Sequence, residues 1–141
     1  MVQEKFKEVL IIYSDFYPTV SNNLLNSAQK YLEYKKVEYD VKRVDGSLEL
    51  PIVLSRFKEN YSGFIILGCI IKGETDHYHV VKDICLREIY SLASQYSLPL
   101  STALLTVDNI DQAIERSDPN KKDLGTKAAV VCCNLINLLK T

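Results

Sequence analysis

The chain has 141 residues, the size of one domain, with 17 Lys+Arg against 18 Asp+Glu and a net charge of −1. That balance supplies no basic field for a phosphate backbone, which argues against a nucleic-acid partner. Hydrophobic residues at 47% and charged residues at 25% are the composition of a folded globule and not of a disordered segment.

The longest apolar stretch, Gly63–Ile71, is far short of a bilayer span. The N-terminal MVQEKFKEVLIIY mixes acids with bases around an apolar run too short for a secretory signal. We therefore expect a cytoplasmic protein with no membrane partner, and no repeat or linker divides residues 1–141 from a single domain.

In chain order, Glu8–Ser14 (EVLIIYS) reads as a buried strand. Leu24, Leu25, Ala28, Tyr31 and Leu32 recur at helical spacing, which predicts a helix over Ser21–Lys36. Val37–Val44 alternates as a second strand. A turn at Asp45–Gly46 leads into a helix over Leu48–Asn60, with Pro51 tolerated in its first turn. Gly63–Ile71 (GFIILGCII) is apolar throughout, as a strand covered on both faces must be.

Thr75–Tyr96 is predicted helical, with Tyr78, Val81, Cys85, Ile89, Leu92 and Tyr96 along one stripe. Pro99–Thr106 is a fourth strand, and Asp108 caps a short helix carrying Ile110, Ala113 and Ile114. The last helix covers Leu124–Leu139, with Ala128, Val131, Cys132, Leu135, Ile136 and Leu139 on one face. This alternation predicts an α/β fold: a three-layer α/β/α sandwich with a four-stranded parallel sheet and right-handed crossovers. Ligands of such sheets bind beyond the carboxyl ends of the strands. The loops Ser14–Pro18, Asp45–Pro51, Lys72–His77 and Val107–Asn109 are therefore where function is expected.

Cys69, Cys85, Cys132 and Cys133 show no CxxC spacing, so they read as small buried hydrophobes in a reducing compartment and not as a disulfide frame or zinc site. Gly68-Cys-Ile-Ile-Lys-Gly-Glu-Thr-Asp-His77 has nearly the spacing of a nucleotide P-loop. Its interior is strand, however, and Glu74 stands where the phosphate-binding lysine belongs. Gly73 before a helix start is either an anion seat, with free N–H groups and the positive end of the helix dipole, or a plain strand-to-helix turn.

His77 in the first turn of that helix reads as a neutral imidazole able to accept a proton, or as an ordinary surface histidine. His77 and His79 are two apart on a helix and point to different sides, which excludes a metal pair. Phe16, just after the first strand, stacks on a planar ligand or staples the following helix. Arg116 is a cation at a helix C-terminus, where the dipole favours it.

Taken together these segments resemble the 6,7-dimethyl-8-ribityllumazine synthase family. The matching pieces, in the family's order, are Ser14-Asp-Phe-Tyr17, Val44-Asp-Gly-Ser-Leu-Glu-Leu-Pro51, Gly68-Cys-Ile-Ile-Lys-Gly-Glu-Thr-Asp-His-Tyr78, Leu104-Leu-Thr106 and Asn109-Ile-Asp-Gln-Ala-Ile-Glu-Arg116. The resemblance implies a flavodoxin-like sandwich and a transferase of riboflavin biosynthesis. Its reaction condenses 5-amino-6-(D-ribitylamino)uracil with 3,4-dihydroxy-2-butanone 4-phosphate, with no metal or organic cofactor.

By the same resemblance Phe16 stacks on the pyrimidine. Ser47, Leu48 and Glu49 line the ribityl and pyrimidine site, Cys69, Ile70 and Ile71 give backbone contacts, and Thr102 of a neighbouring copy faces the ring. Glu74 and Thr75 seat the phosphate through main-chain N–H groups, Arg116 completes that seat, and His77 moves protons. Leu48 stands where the family has phenylalanine and Thr102 where an aromatic is common. Asp123-Leu-Gly125 matches the family's Asn-Lys-Gly only loosely. The resemblance also implies a homo-oligomer, a pentamer or a multiple of it, and names riboflavin synthase as a candidate partner.

Two other readings share parts of this pattern. A non-catalytic flavodoxin-like module shows the same alternation, although a phospho-receiver of that kind wants an aspartate at the end of strand three, where Gly68–Ile71 has none. A family homologue kept for assembly or riboflavin binding would have little turnover, against which His77 and Arg116 argue.

Overall fold

Four runs of branched and large apolar residues pair side by side, all parallel, in the order β2-β1-β3-β4. The computed structural model describes residues 6–73 and 77–140. Its elements are β1 (Val9–Ser14), α1 (Pro18–Tyr34), β2 (Tyr39–Val44), a 3₁₀ turn (Ser47–Glu49), α2 (Leu50–Phe57), β3 (Gly63–Ile71), α3 (His77–Tyr96), β4 (Leu100–Val107), α4 (Ile110–Ser117) and α5 (Leu124–Leu138). The expected three-layer α/β/α sandwich is what forms.

Alternation along the strands divides the core. Val9, Ile11, Ile65, Leu67, Cys69, Ala103, Leu105 and Val107 face a layer built by α1, α4 and α5. Leu10, Ile12, Phe64, Ile66, Ile70, Leu100 and Leu104 face the layer of α2 and α3. β3 is buried from Gly63 to Ile70, which is why its sequence carries no alternation and why its bounds were readable without error.

Several boundaries differ from expectation, each for a local reason. α1 begins at Pro18, three residues before Ser21, because proline suits the first helical position. Ser21 is an interior residue whose hydroxyl donates to the Ser14 carbonyl at 2.6 Å. α1 ends in a Schellman-type closure: Lys36 is left-handed at φ 59°, and Val37 N–H bonds the Leu32 carbonyl at 2.9 Å. That closure consumes Val37, so β2 starts at Tyr39.

The predicted helix over Leu48–Asn60 is instead a 3₁₀ turn followed by α2, and α2 stops at Phe57. Asn109, not Asp108, caps α4. Its side chain accepts from Gln112 N–H at 2.9 Å, while Gln112 Oε1 accepts from Asp108 N–H at 2.7 Å. The buried stripe of α5 is also rotated from the one expected: Gly125 and Ala129 lie inside, and Val131 and Leu139 are exposed. On α3, Cys85 and Ile89 are buried but Tyr96 is exposed.

Gly125 sets how close α5 lies to α1. A Cβ there would meet the Leu24 carbonyl oxygen, with the Leu24 Cα at 3.0 Å, and backbone cannot rotate out of the way. Gly125→Ala gains helix propensity worth at most about 1 kcal/mol, yet should lose about 1–3 kcal/mol net through forced separation of the helices. A thermal melt should show the lower Tm; a Tm equal to or above wild type would mean that α1 and α5 part without cost.

Candidate active site

In the order β2-β1-β3-β4 the chain leaves β1 outward to β2 and leaves β3 outward to β4, in opposite directions, which opens a crevice beyond the carboxyl ends of β1 and β3. A cavity of about 300 Å³ occupies this place. It is lined by Phe16 and Tyr17 after β1, by Gly46, Ser47, Leu48 and Glu49 after β2, and by Cys69, Ile70 and Ile71 at the end of β3. His77, Tyr78 and Val81 of α3 close it.

Register explains why the end of β3 has a backbone edge open to the cavity. Pairing of β1 with β3 stops at Tyr13↔Leu67, while β3 continues alongside β4 to Ile71↔Val107. The β1-facing edge of Cys69–Ile71 therefore borders the cavity instead of a strand. At its far end Lys72 N–H bonds the Val107 carbonyl at 2.8 Å, and Gly73 follows at φ +127°, a conformation that side chains rarely adopt.

Phe16 is 69% exposed. That exposure excludes the staple reading. Its ring meets Tyr17 edge-on, with centroids 5.0 Å apart, which leaves a large aromatic surface at the cavity rim. The loops after β1 and β2 are joined by Arg43, whose Nη1 lies 3.3 Å from Asp15 Oδ1 and 2.9 Å from Asp45 Oδ1. These exposed ion pairs orient the loops more than they stabilise the fold.

The thiol at the cavity floor is inert. Burial pushes Cys69 up to about 12 and Cys85 up to about 11, so neither is a thiolate nucleophile near neutrality. All four cysteines are free, and among the described residues no group of three His, Cys, Asp or Glu side chains is placed to hold a metal ion.

Eight of the residues singled out from the sequence thus meet in one cavity: Phe16, Ser47, Leu48, Glu49, Cys69, Ile70, Ile71 and His77. Glu74 and Thr75 lie outside the described residues. Thr102 and Arg116 do not line the cavity. Thr102 pairs with Ile66, roughly 13 Å back along the strands from Ile70↔Thr106 at about 3.3 Å per residue. It lies in a separate groove and shares a 2.8 Å hydrogen bond with Tyr90.

Arg116 sits in the last turn of α4, and its Nη1 is buried with no hydrogen-bond partner among the described residues. The loop Val107–Asn109, also expected near ligand, takes no part in the lining. Tyr17, Gly46 and Arg43 were not singled out, and Tyr78 and Val81 were read only as core stripe positions. Only the places of Tyr17 and Gly46 after strand ends, and of Tyr78 and Val81 in the first turns of α3, marked them; Arg43, inside β2, carried no signal.

A parallel α/β sandwich with an apolar, few-charged cavity at its strand-switch crevice defines the class: an α/β protein with a small-molecule site beyond its strand ends. The family model for 6,7-dimethyl-8-ribityllumazine synthase matches residues 7–140, and the chain belongs to that family. It is 40% identical to the 6,7-dimethyl-8-ribityllumazine synthase of Paramagnetospirillum magneticum, over 92% of each chain. The synthase of the same name from Bartonella tribocorum is 34% identical over 99% of this chain and 96% of its own. That of Agrobacterium fabrum is 35% identical over 94% of each.

The raised thiols give the site and core a defined alkaline limit. A group held above its unfolded value of 9.0 stabilises the fold fully below pH 9, and that contribution is lost as pH rises toward about 11 to 12. The unfolded chain ionises first and so binds fewer protons. The denaturant midpoint should therefore fall between pH 9 and 11, and a Cys69→Ala/Cys132→Ala protein should show a flatter fall. Equal slopes would mean that the thiols do not carry the effect.

Proposed function

We propose that this chain condenses 5-amino-6-(D-ribitylamino)uracil with 3,4-dihydroxy-2-butanone 4-phosphate to 6,7-dimethyl-8-ribityllumazine, releasing phosphate and water, in the cytoplasm and as a single domain. The observation that carries the reading is the crevice cavity, which gathers an exposed aromatic, the Ser47–Glu49 turn, an unpaired strand edge and His77. An aromatic face with main-chain and side-chain hydrogen-bonding groups around it suits a planar, polyhydroxylated heterocycle.

The pyrimidine stacks on Phe16 and hydrogen-bonds the main chain of Cys69, Ile70 and Ile71, while Ser47, Leu48 and Glu49 flank the ribityl chain. Its amine attacks the ketone, an imine forms with loss of water, phosphate is eliminated, and ring closure releases water again. His77 moves protons in these steps. Glu74 and Thr75 hold the phosphate through main-chain N–H groups, and a guanidinium adds a charge-assisted contact as it departs.

That guanidinium is Arg116, and it comes with Thr102 from an adjacent copy. The separation of both from the cavity of their own chain supports this. Ile52, Val80, Ile84 and Tyr90, exposed on α2 and α3, offer apolar surface for association. A pentamer or a multiple of it is the assembly proposed, with riboflavin synthase as the consumer of the product.

The direct test mixes purified protein with the two substrates and follows the fluorescent lumazine; binding without product would leave a ligand-binding homologue. His77→Ala should lower kcat by about 10²-fold, the low end for general acid–base help because buffer carries some protons, with fold and assembly unchanged. Wild-type kcat at several pH values would remove His77 from the mechanism. Mixing inactive Phe16→Asp and Arg116→Ala proteins after dissociation should restore partial activity, since some interfaces then hold both intact halves. Zero recovery in oligomers shown to be mixed by native mass spectrometry would put the whole site in one chain.

A further inference from the structure

The cavity has one wall from the turn after β2 and another from α3, far apart in sequence, and a buried side chain of α3 is hydrogen-bonded to the turn. Cys85 is fully buried, and its Sγ lies 3.1 Å from the carbonyl oxygen of Ser47. We propose that Cys85 is a positioning residue for the pyrimidine half of the reaction, its thiol donating to Ser47 and locking the Ser47–Glu49 turn against α3; this rests on the function proposed above.

The turn's own bonds fix its shape but not its place. Glu49 N–H bonds the Gly46 carbonyl at 3.3 Å, and Leu50 N–H closes back on the Ser47 carbonyl. Both are local. The Ser47 oxygen has a second lone pair, and the Cys85 thiol takes it across 38 positions of sequence. On α3, Tyr78, Val81 and Cys85 follow one another at i, i+3 and i+7, so the face that lines the cavity is continued directly by the residue that anchors the opposite wall.

Burial keeps the thiol protonated, at about 11, so the donor persists throughout neutral pH. Apolar neighbours alone would hold the turn less specifically, because Leu48 and Glu49 are themselves exposed and only Leu50 behind them is buried.

The test compares wild type, Cys85→Ala, Cys85→Val and Cys85→Ser. Valine fills the space without a donor, and serine restores one. KM for each substrate, kcat, and hydrogen exchange of the amides at 46–50 are measured. Both donor-free variants should raise KM for the pyrimidine by about three- to tenfold, keep kcat and the KM for the phosphorylated substrate within about twofold of wild type, and exchange faster in the turn. Cys85→Ser should return both readouts toward wild type.

An unmoved pyrimidine KM in the donor-free variants, equal losses for both substrates, or a serine variant no better than alanine would overturn the inference. Wild-type protein that forms no lumazine would fell the functional reading and this inference with it. That result is distinct from wild-type turnover with an unmoved KM, which would overturn the positioning role alone.

Discussion

Pairing of β1 with β3 stands at the centre of this molecule. Val9–Tyr13 lies against Gly63–Leu67, and from Val9 to Ile12 and from Phe64 to Leu67 every side chain is fully buried. Parallel strands cannot be joined by a tight turn, so each connection must cross a face of the sheet, and the apolar side chains require both faces to be covered. With β2 outside β1 and β4 outside β3, the connections that leave β1 and β3 diverge at their carboxyl ends. The crevice is what that divergence leaves. β1 also ends earlier than β3 does against β4, so the same constraint that builds the core leaves a length of β3 backbone turned toward the crevice.

Much of this was legible in the sequence because it follows from periodicity. The uninterrupted GFIILGCII run gave β3 to the residue, and the loops after the first three strands were identified as the place for ligand. What escaped has two physical origins. The end of α1 at Tyr34 is followed by Lys36 in the left-handed conformation usually signalled by glycine, so no residue type announced it. Contacts between distant segments, such as Arg43 with Asp15 or Cys85 with Ser47, have no local pattern at all. Family resemblance, and not periodicity, brought Thr102 and Arg116 into the site, and both lie away from the cavity of their own chain.

The lining is mostly apolar, and its strand-borne thiol is held un-ionised by burial. In such a lining the few polar groups fix a ligand's orientation. It also limits which side chains can act. Cys69 cannot serve as a nucleophile, and Ser47 and Glu49 stand on a turn after β2. His77 is the imidazole of the described lining, the group to which the proposed function gives the proton transfers, and it stands at the start of α3 as the structure describes it.

Precision in such a site depends on which elements carry it. The strand edge at Cys69–Ile71 is fixed by pairing to β4 and cannot shift without breaking the ladder. The turn at Ser47–Glu49 has no such ladder; its position is set by Leu50 beneath it, by Arg43 at the mouth of its loop and by the thiol of Cys85 behind it. A displacement of even ~1 Å between reacting groups is costly in rate. The rigid half can therefore define the plane of a heterocycle only if the turn is held to it by contacts that do not exchange with water. Arg43 is exposed and screened by salt, whereas Cys85 is fully buried and is not. The burden of alignment accordingly falls on the weaker hydrogen bond in the drier place.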